Sequence, residues 1–197
     1  MARAQPLHPD ERRATLLAAA RRVFAHQGYH AAGVSDIIED AGVARGTFYN
    51  YFESKRQIFG AVLDALMEEV AGAVEPIDVT RPIPPQVREN VARIVSRLQE
   101  QGEGARILFT DAAGVDAEGR EALAEFYGVA AGRIERALRT GQVMGVVRAC
   151  DVRIVALCLL GMLKEPVFQG LLRDDPVAAE ALVDEIFGLV TAGVVRL

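Results

Sequence analysis

"VSDIIEDAGVARGTFYNYFESK", residues Val34–Lys55, decides how the rest of the chain is read. Two short apolar stretches flank Gly42-Val43. Phe48, Tyr49, Tyr51 and Phe52 then crowd into five positions of a chain that is only 6% aromatic. Val34 to Ala41 reads as a short helix that Gly42 stops by taking the left-handed conformation after the last turn. A second helix is expected over about Arg45 to Tyr51. Two short helices parted by a three- or four-residue turn containing Gly are the helix-turn-helix pattern. In that arrangement Ile37 and Ala41 pack on Phe48, Ala41 being small because the helices cross closely there, and Val43 plugs the turn. Phe48 and Phe52 point inward. Arg45, Thr47, Tyr49, Asn50 and Tyr51 point outward, on a face sized for a major groove about 12 Å wide. Tyr and Thr hydroxyls and Lys ammonium groups are ordinary phosphate donors. Gly46 has no side chain to hold the backbone away from a duplex. Lys55, in the first turn of the next helix, adds charge to its positive end and is placed to hold a phosphate.

Outward from this stretch the chain reads as all-α, with about nine helices. Pro9 to His26 is expected to form the first: Pro9, Asp10 and Glu11 suit its first turn and Gly28 follows its last. Leu16, Leu17, Ala20, Val23 and Phe24 make one apolar stripe. Arg12, Arg13, Arg21 and Arg22 read as a solvated face. Ser54-Lys-Arg-Gln57 reads as a capping box opening a helix that runs to about residue 73. "EPIDVTRPIPPQ", residues 75–86, holds four prolines and breaks the chain. Further helices are expected near 85–101, 104–112, 117–140, 151–172 and 176–195, punctuated by Gly102, Gly114, Gly141 and Gly145. The expected organisation is a DNA-binding segment at 9–55 (helix-turn-helix about 33–52), a linking helix at 54–73, and a helical body at 74–197.

Composition excludes several classes. About half of the 197 residues are hydrophobic, enough for a sizeable core. Net charge is −5, but residues 1–60 hold 8 Lys/Arg against 6 Asp/Glu (+2) and residues 61–197 hold 14 against 21 (−7). A mildly basic head on an acidic body is compatible with a polyanionic partner for the head alone. No apolar run reaches the roughly 20 residues needed to span a bilayer, and the start has no apolar signal-like core, so a cytoplasmic protein is expected. Cys150 and Cys158 on one helix would sit about 12 Å apart along its axis, too far for a bridge. All three His residues precede residue 31, so no Ser/His/Asp or Cys/His set can be assembled downstream, and H-E-x-x-H, Walker and dinucleotide glycine motifs do not occur. No enzyme, no cofactor and no metal site is expected. His26 and His30 would pair only if the first helix continued through Gly28.

The patterns "LLAAARRVFAHQGY" and "VSDIIEDAGVARGTFYNYFESKRQIF" resemble the tetracycline-repressor (TetR) family of transcriptional regulators. Ala41-Gly42-Val43, Gly46-Thr47-Phe48-Tyr49, Tyr51-Phe52 and Ser54-Lys55 carry the resemblance. It implies a three-helix DNA-binding head joined through a fourth helix to a ligand-binding and dimerisation body. It also implies a homodimer that usually represses, binds a near-palindromic operator in double-stranded DNA, and lets go when a small-molecule effector binds. By position, Tyr49 and Lys55 resemble phosphate contacts, and Arg45, Thr47 and Asn50 base-proximal or phosphate contacts. Tyr51 would also reach the backbone, and Ser35 would add a hydroxyl. Two positions depart from the family pattern. Ala44 stands where Ser often caps the recognition helix, and Ile38 stands where Ala is common. Phe109, Tyr127 and Met162 are candidate effector contacts, with Arg106, Lys164 and Glu165 as polar candidates beside them. The helices at about 151–172 and 176–195 are too apolar for water and are the expected dimer interface. The alternative is a helical small-molecule-binding or protein-interaction module that does not act on DNA.

Overall fold

The computed structural model describes residues 8–102, 107, 117–173 and 175–194. Among them the regular elements are α1 Pro9–Ala31, α2 Val34–Ala41, α3 Arg45–Tyr49, α4 Lys55–Ala71, α5 Ile83–Glu100, α6 Ala117–Val143, α7 Val152–Arg173 and α8 Ala179–Gly193. The fold is all-α. The helix expected at 104–112 lies outside the described residues apart from Ile107, which is buried.

Local chemistry explains most boundaries. The Glu11 carboxylate accepts the His8 N–H at 2.9 Å and starts α1. At Gly28 the backbone leaves the helix (φ 74°, ψ 162°), as expected, yet one more turn follows to Ala31. That extra turn swings Tyr29 inward, where it is buried against Phe24 and Phe59. The Ser54 hydroxyl accepts the Gln57 N–H at 3.2 Å, while the Gln57 side chain reaches back to the Glu53 N–H rather than to Ser54 itself. The proline-rich break ends earlier than expected: α5 starts at Ile83, with Pro84 and Pro85 in its first turn, where their missing N–H groups cost nothing. Gly141 does not end α6. The helix runs on to Val143 and turns at Gly145 (φ 76°). Gly141 is instead a contact position, since a Cβ there would come within 2.5 Å of Val147 Cγ2. Asp151 opens α7 by accepting the N–H groups of Arg153 and Ile154 at 3.0 and 3.1 Å.

One core joins head to body. Leu16, Ala20 and Phe24 of α1, Ile37 of α2, Phe48 and Phe52, and Ile58 to Leu66 of α4 form a single buried cluster that continues into Ala122 and Leu123 of α6. The Phe24 and Phe59 rings meet edge to face at 5.1 Å. α4 lies parallel to α6 and is held at both ends by ion pairs of opposite polarity. Arg56 meets Glu121 at 2.8 Å, and Glu68 meets Arg133. Each pair is partly exposed and worth at most about 1 kcal/mol. Together they set the register of the two helices over about 18 Å. A second cluster packs Val91 and Val95 of α5 on Leu182, Val183 and Ile186 of α8, and a third packs Leu138 on Val152 and Ala156.

Phe48 is fully buried in the head core, so Phe48→Ala should lower the unfolding free energy by about 3–5 kcal/mol. Val79→Ala, at an exposed loop position, should change it by less than about 0.5 kcal/mol. Urea titrations followed by circular dichroism check both values.

Candidate nucleic-acid interface

The α2–turn–α3 unit is held by three local devices. The Asp36 carboxylate accepts the Gly33 N–H at 2.8 Å and fixes the start of α2. Gly42 takes the left-handed conformation (φ 62°, ψ 34°), and its N–H returns to Glu39 O at 3.1 Å. Ala44 opens α3 in extended conformation without a side-chain cap, leaving Thr47 N–H to bond Ala44 O at 2.8 Å. α3 is only five residues long, shorter than the expected 45–51.

Packing orients that short helix. Phe48 and Phe52 are buried, as expected, while Arg45, Gly46, Tyr49 and Asn50 are exposed and Thr47 is half-buried. Tyr49 stands edge-on to Phe48 at 5.3 Å and keeps 46% of its surface exposed. The Arg45 guanidinium lies 5.7 Å from the Tyr49 ring centroid. A Cβ at Gly46 would touch nothing within 4 Å, so that side of α3 is open. Ser35 is exposed at the start of α2. Between α2 and α3 lies a concavity of about 510 Å³ lined by Ser35, Ile38, Glu39, Val43, Arg45 and Tyr49 among others. Glu39 is a residue the sequence reading missed. Its spacing of four from Ser35 on one short helix was the available signal.

Two candidate contacts sit differently from expectation. Tyr51 is half-buried and packs against the head core. α3 ends at Tyr49 and the chain turns through Asn50 and Tyr51, so Tyr51 leaves the outer face. Lys55 is half-buried and folds back over α1. Its ammonium donates to the carbonyl oxygens of Tyr29 at 2.9 Å, Ala32 at 3.1 Å and His30 at 3.3 Å, and stands 4.4 Å from the Tyr29 ring centroid. An ammonium has three N–H groups, and all three are engaged. Lys55 therefore caps the end of α1 instead of presenting a free charge to phosphate.

The arginines of α1 are also tied down more than a solvated face implies. Arg22 meets Asp40 of α2 at 2.5 Å, Arg21 meets Glu69 of α4 at 3.6 Å, and Arg13 lies over the Phe52 ring at 5.5 Å. Arg45, by contrast, makes no ion pair among the described residues.

In the body, Phe109 and Arg106 lie outside the described residues. Met162 packs against the α5–α8 cluster. Tyr127 stands edge-on to Phe126 at 5.3 Å, with the Lys164 ammonium 5.0 Å from its ring centroid. Burial raises the Tyr127 phenol to about 12. A cavity of about 380 Å³ opens between the ends of α5 and α7 and the start of α8, lined by Leu98, Val167, Val177 and Leu182 among others. Neither Tyr127 nor Met162 lines it. Among the described residues no three His, Cys, Asp or Glu side chains are grouped to hold a metal ion, and no helix is long and apolar enough to cross a membrane.

Residues 16–62 match the family model described as "Bacterial regulatory proteins, tetR family". The chain is 34% identical over 108 residues to the HTH-type transcriptional activator FasR of Mycolicibacterium smegmatis, a match covering 54% of this chain and about half (49%) of that protein's length. Its fold is similar to that of a solved Syntrophomonas wolfei chain described as a TetR-family transcriptional regulator, with TM-score 0.82 and 20% identity over 94% of this chain and 97% of the other. It is also similar to the transcriptional regulator FadR of Bacillus subtilis, solved in complex with stearoyl-CoA, with TM-score 0.77 and 24% identity over 91% and 98% of the two chains.

Lys55→Ala should lower the unfolding free energy by about 1–3 kcal/mol, because charge-assisted bonds to three carbonyls disappear. Urea unfolding measures this, and no change would leave the lysine without a capping role. Tyr127 titrates higher in the fold than in the unfolded chain, so its contribution to stability is complete below pH 10 and fades as pH rises towards 12. Tyr127→Phe should therefore remove up to about 1.4 kcal/mol per pH unit from the alkaline fall in stability. Denaturation series between pH 9.5 and pH 12 on both proteins check the difference.

Proposed function

We propose that the chain, whose residues 16–62 match the model of the tetR family of bacterial regulatory proteins, is a member of that family and a sequence-specific DNA-binding transcriptional regulator, acting as a homodimeric repressor. The observation that carries this reading is the exposed outer face of α3, with Arg45, Gly46, Tyr49 and Asn50 open to solvent above two buried phenyl rings. Such a face enters a major groove, and the phenol and guanidinium supply phosphate and base donors. Residues 9–55 are the DNA-binding unit, α4 the link, and residues 74–197 the effector-binding and dimerisation unit. Two recognition helices related by a two-fold axis meet half-sites roughly 34–36 Å apart, or a multiple of that.

The second copy is proposed to cover α7 and α8. Ile154, Leu157, Cys158 and Gly161 line one exposed face of α7 at helical spacing, and Gly188, Leu189 and Ala192 line one of α8. Ile154, Leu157 and Leu189 are each more than half exposed, which water disfavours and a four-helix interface removes. For the effector, the apolar cavity beside Leu98, Val167 and Leu182 favours a ligand with a hydrocarbon portion. The stearoyl-CoA bound to the similar Bacillus subtilis FadR makes acyl-CoA thioesters the first class to try.

Selection from random duplexes tests the DNA-binding reading. An enriched near-palindrome supports it, and no enrichment favours a binding module that does not act on DNA. On the enriched duplex, Tyr49→Phe should weaken binding about 5- to 150-fold, the loss of one hydrogen bond of about 0.5–1.5 kcal/mol in each of the two half-sites. Arg45→Ala should weaken it by at least as much, because a guanidinium on base edges makes bidentate contacts worth about 1–3 kcal/mol each. The pair Leu157→Glu with Leu189→Glu should give a monomer in sedimentation and lose on the order of 100-fold or more in affinity for the two-half-site duplex.

A further inference from the structure

The concavity between α2 and α3 has an odd member. Glu39 lies on the same surface as Ser35, Arg45 and Tyr49, is exposed, and has no ion-pair partner among the described residues. Asp40, one position on, is held by Arg22 at 2.5 Å, and Asp36 is held by the Gly33 N–H at 2.8 Å. Glu39 alone of the three is uncommitted. A free carboxylate on a face that meets a polyanion is repelled by every phosphate it approaches. It finds a favourable partner on DNA only at a donor, and the major-groove donors are the amino groups of cytosine and adenine.

Arg45 lines the same concavity, its guanidinium over the Tyr49 ring at 5.7 Å. The aromatic face limits the conformations of that long side chain and keeps it beside the opening. Ile38 and Val43, both half-buried, contribute apolar lining to the same concavity. The concavity therefore presents donors at Arg45 and an acceptor at Glu39. The major-groove edge of a G·C pair presents the complement: N7 and O6 acceptors on guanine, and an N4 amino donor on cytosine. An A·T pair offers one acceptor and one donor on adenine, and then an acceptor and a methyl group on thymine, which leaves either the second guanidinium donor or the carboxylate mismatched.

We infer that Glu39 is a specificity-determining residue, and that with Arg45 it reads one G·C pair in each half-site, guanine by Arg45 and cytosine by Glu39. This rests on the proposed reading of the chain as a DNA-binding regulator. The carboxylate adds little affinity, because its repulsion by phosphates offsets its bond to cytosine. Its effect is discrimination: the wrong pair leaves a charge desolvated against an acceptor or a methyl group.

The test is selection from a random-duplex library with the wild type, Glu39→Ala and Arg45→Ala, each position's base preference being read by sequencing. The wild type should enrich a near-palindrome with one strongly preferred G·C pair per half-site. Glu39→Ala should lose on the order of tenfold preference at that pair and at no other. It should bind non-specific duplex as well as the wild type or slightly better. Arg45→Ala should lose preference at the same pair. Glu39 is exposed, so its substitution leaves the head folded, which circular dichroism verifies. The inference is overturned if Glu39→Ala tightens binding to all duplexes by one common factor and keeps the wild-type palindrome. It is equally overturned if the base pair it affects differs from the one that Arg45→Ala affects. If the wild type enriches no palindrome, the DNA-binding reading itself fails and this inference falls with it.

Discussion

A five-residue helix cannot hold itself together in water: its nucleation cost exceeds what one turn of hydrogen bonds returns. α3 has no side-chain N-cap to help it. It is held by burial. Phe48 is wholly buried among Ile37 of α2, α1 and α4, and Phe52 closes the same cluster one turn later. With both phenyl rings fixed, the backbone between them has one orientation, and Tyr49, Arg45 and Gly46 face outward as a consequence. The site is therefore a by-product of the core behind it. A cavity made at Phe48 removes the brace and the interface together, even though Phe48 touches no ligand.

The same core ties the head to the body. Leu63 and Leu66 of α4 share a cluster with Ala122 and Leu123 of α6, so one apolar core runs from the head into the body. The Arg56–Glu121 and Glu68–Arg133 pairs hold α4 and α6 parallel and in register. Arg21 and Gln101 both reach the Glu69 carboxylate, drawing α1 and the end of α5 onto the same linking helix. Lys55 completes the link at the other end of α4 by capping α1. A rearrangement of α6 or of the end of α5 has a direct mechanical route to the angle of the head, through side chains that touch, without a separate transmitting element.

Much of this was legible in the sequence, for reasons that differ by residue. The α2–turn–α3 unit was readable because its signals are local: the Gly42 stop, the inward Phe48 and Phe52, and the Ser54 cap each depend on neighbours within a few positions. The capping role of Lys55 was not, because its partners, the carbonyls of residues 29, 30 and 32, lie some 25 positions away and exist only once Gly28 has kinked α1. Tyr51 was misplaced because the end of so short a helix is set by packing and leaves no mark in composition. Gly141 looked like punctuation, but its role is close contact with Val147, which sequence spacing does not distinguish from a helix stop. In the body, apolar residues at three- and four-residue spacing announce helices but not cavities. Met162 and Tyr127 look equally suited to lining one, and neither lines the cavity beside Leu98.

In the proposed complex the outer face of α3 lies in a major groove. Methylation interference on a selected duplex tests it most directly, since dimethyl sulfate marks guanine N7 in the major groove and adenine N3 in the minor groove. Methylated guanines should block binding in two clusters about one helical turn apart, or a multiple of it, while methylated adenines between them should not. Interference confined to adenine N3, or a single cluster with no two-fold partner, would contradict this placement.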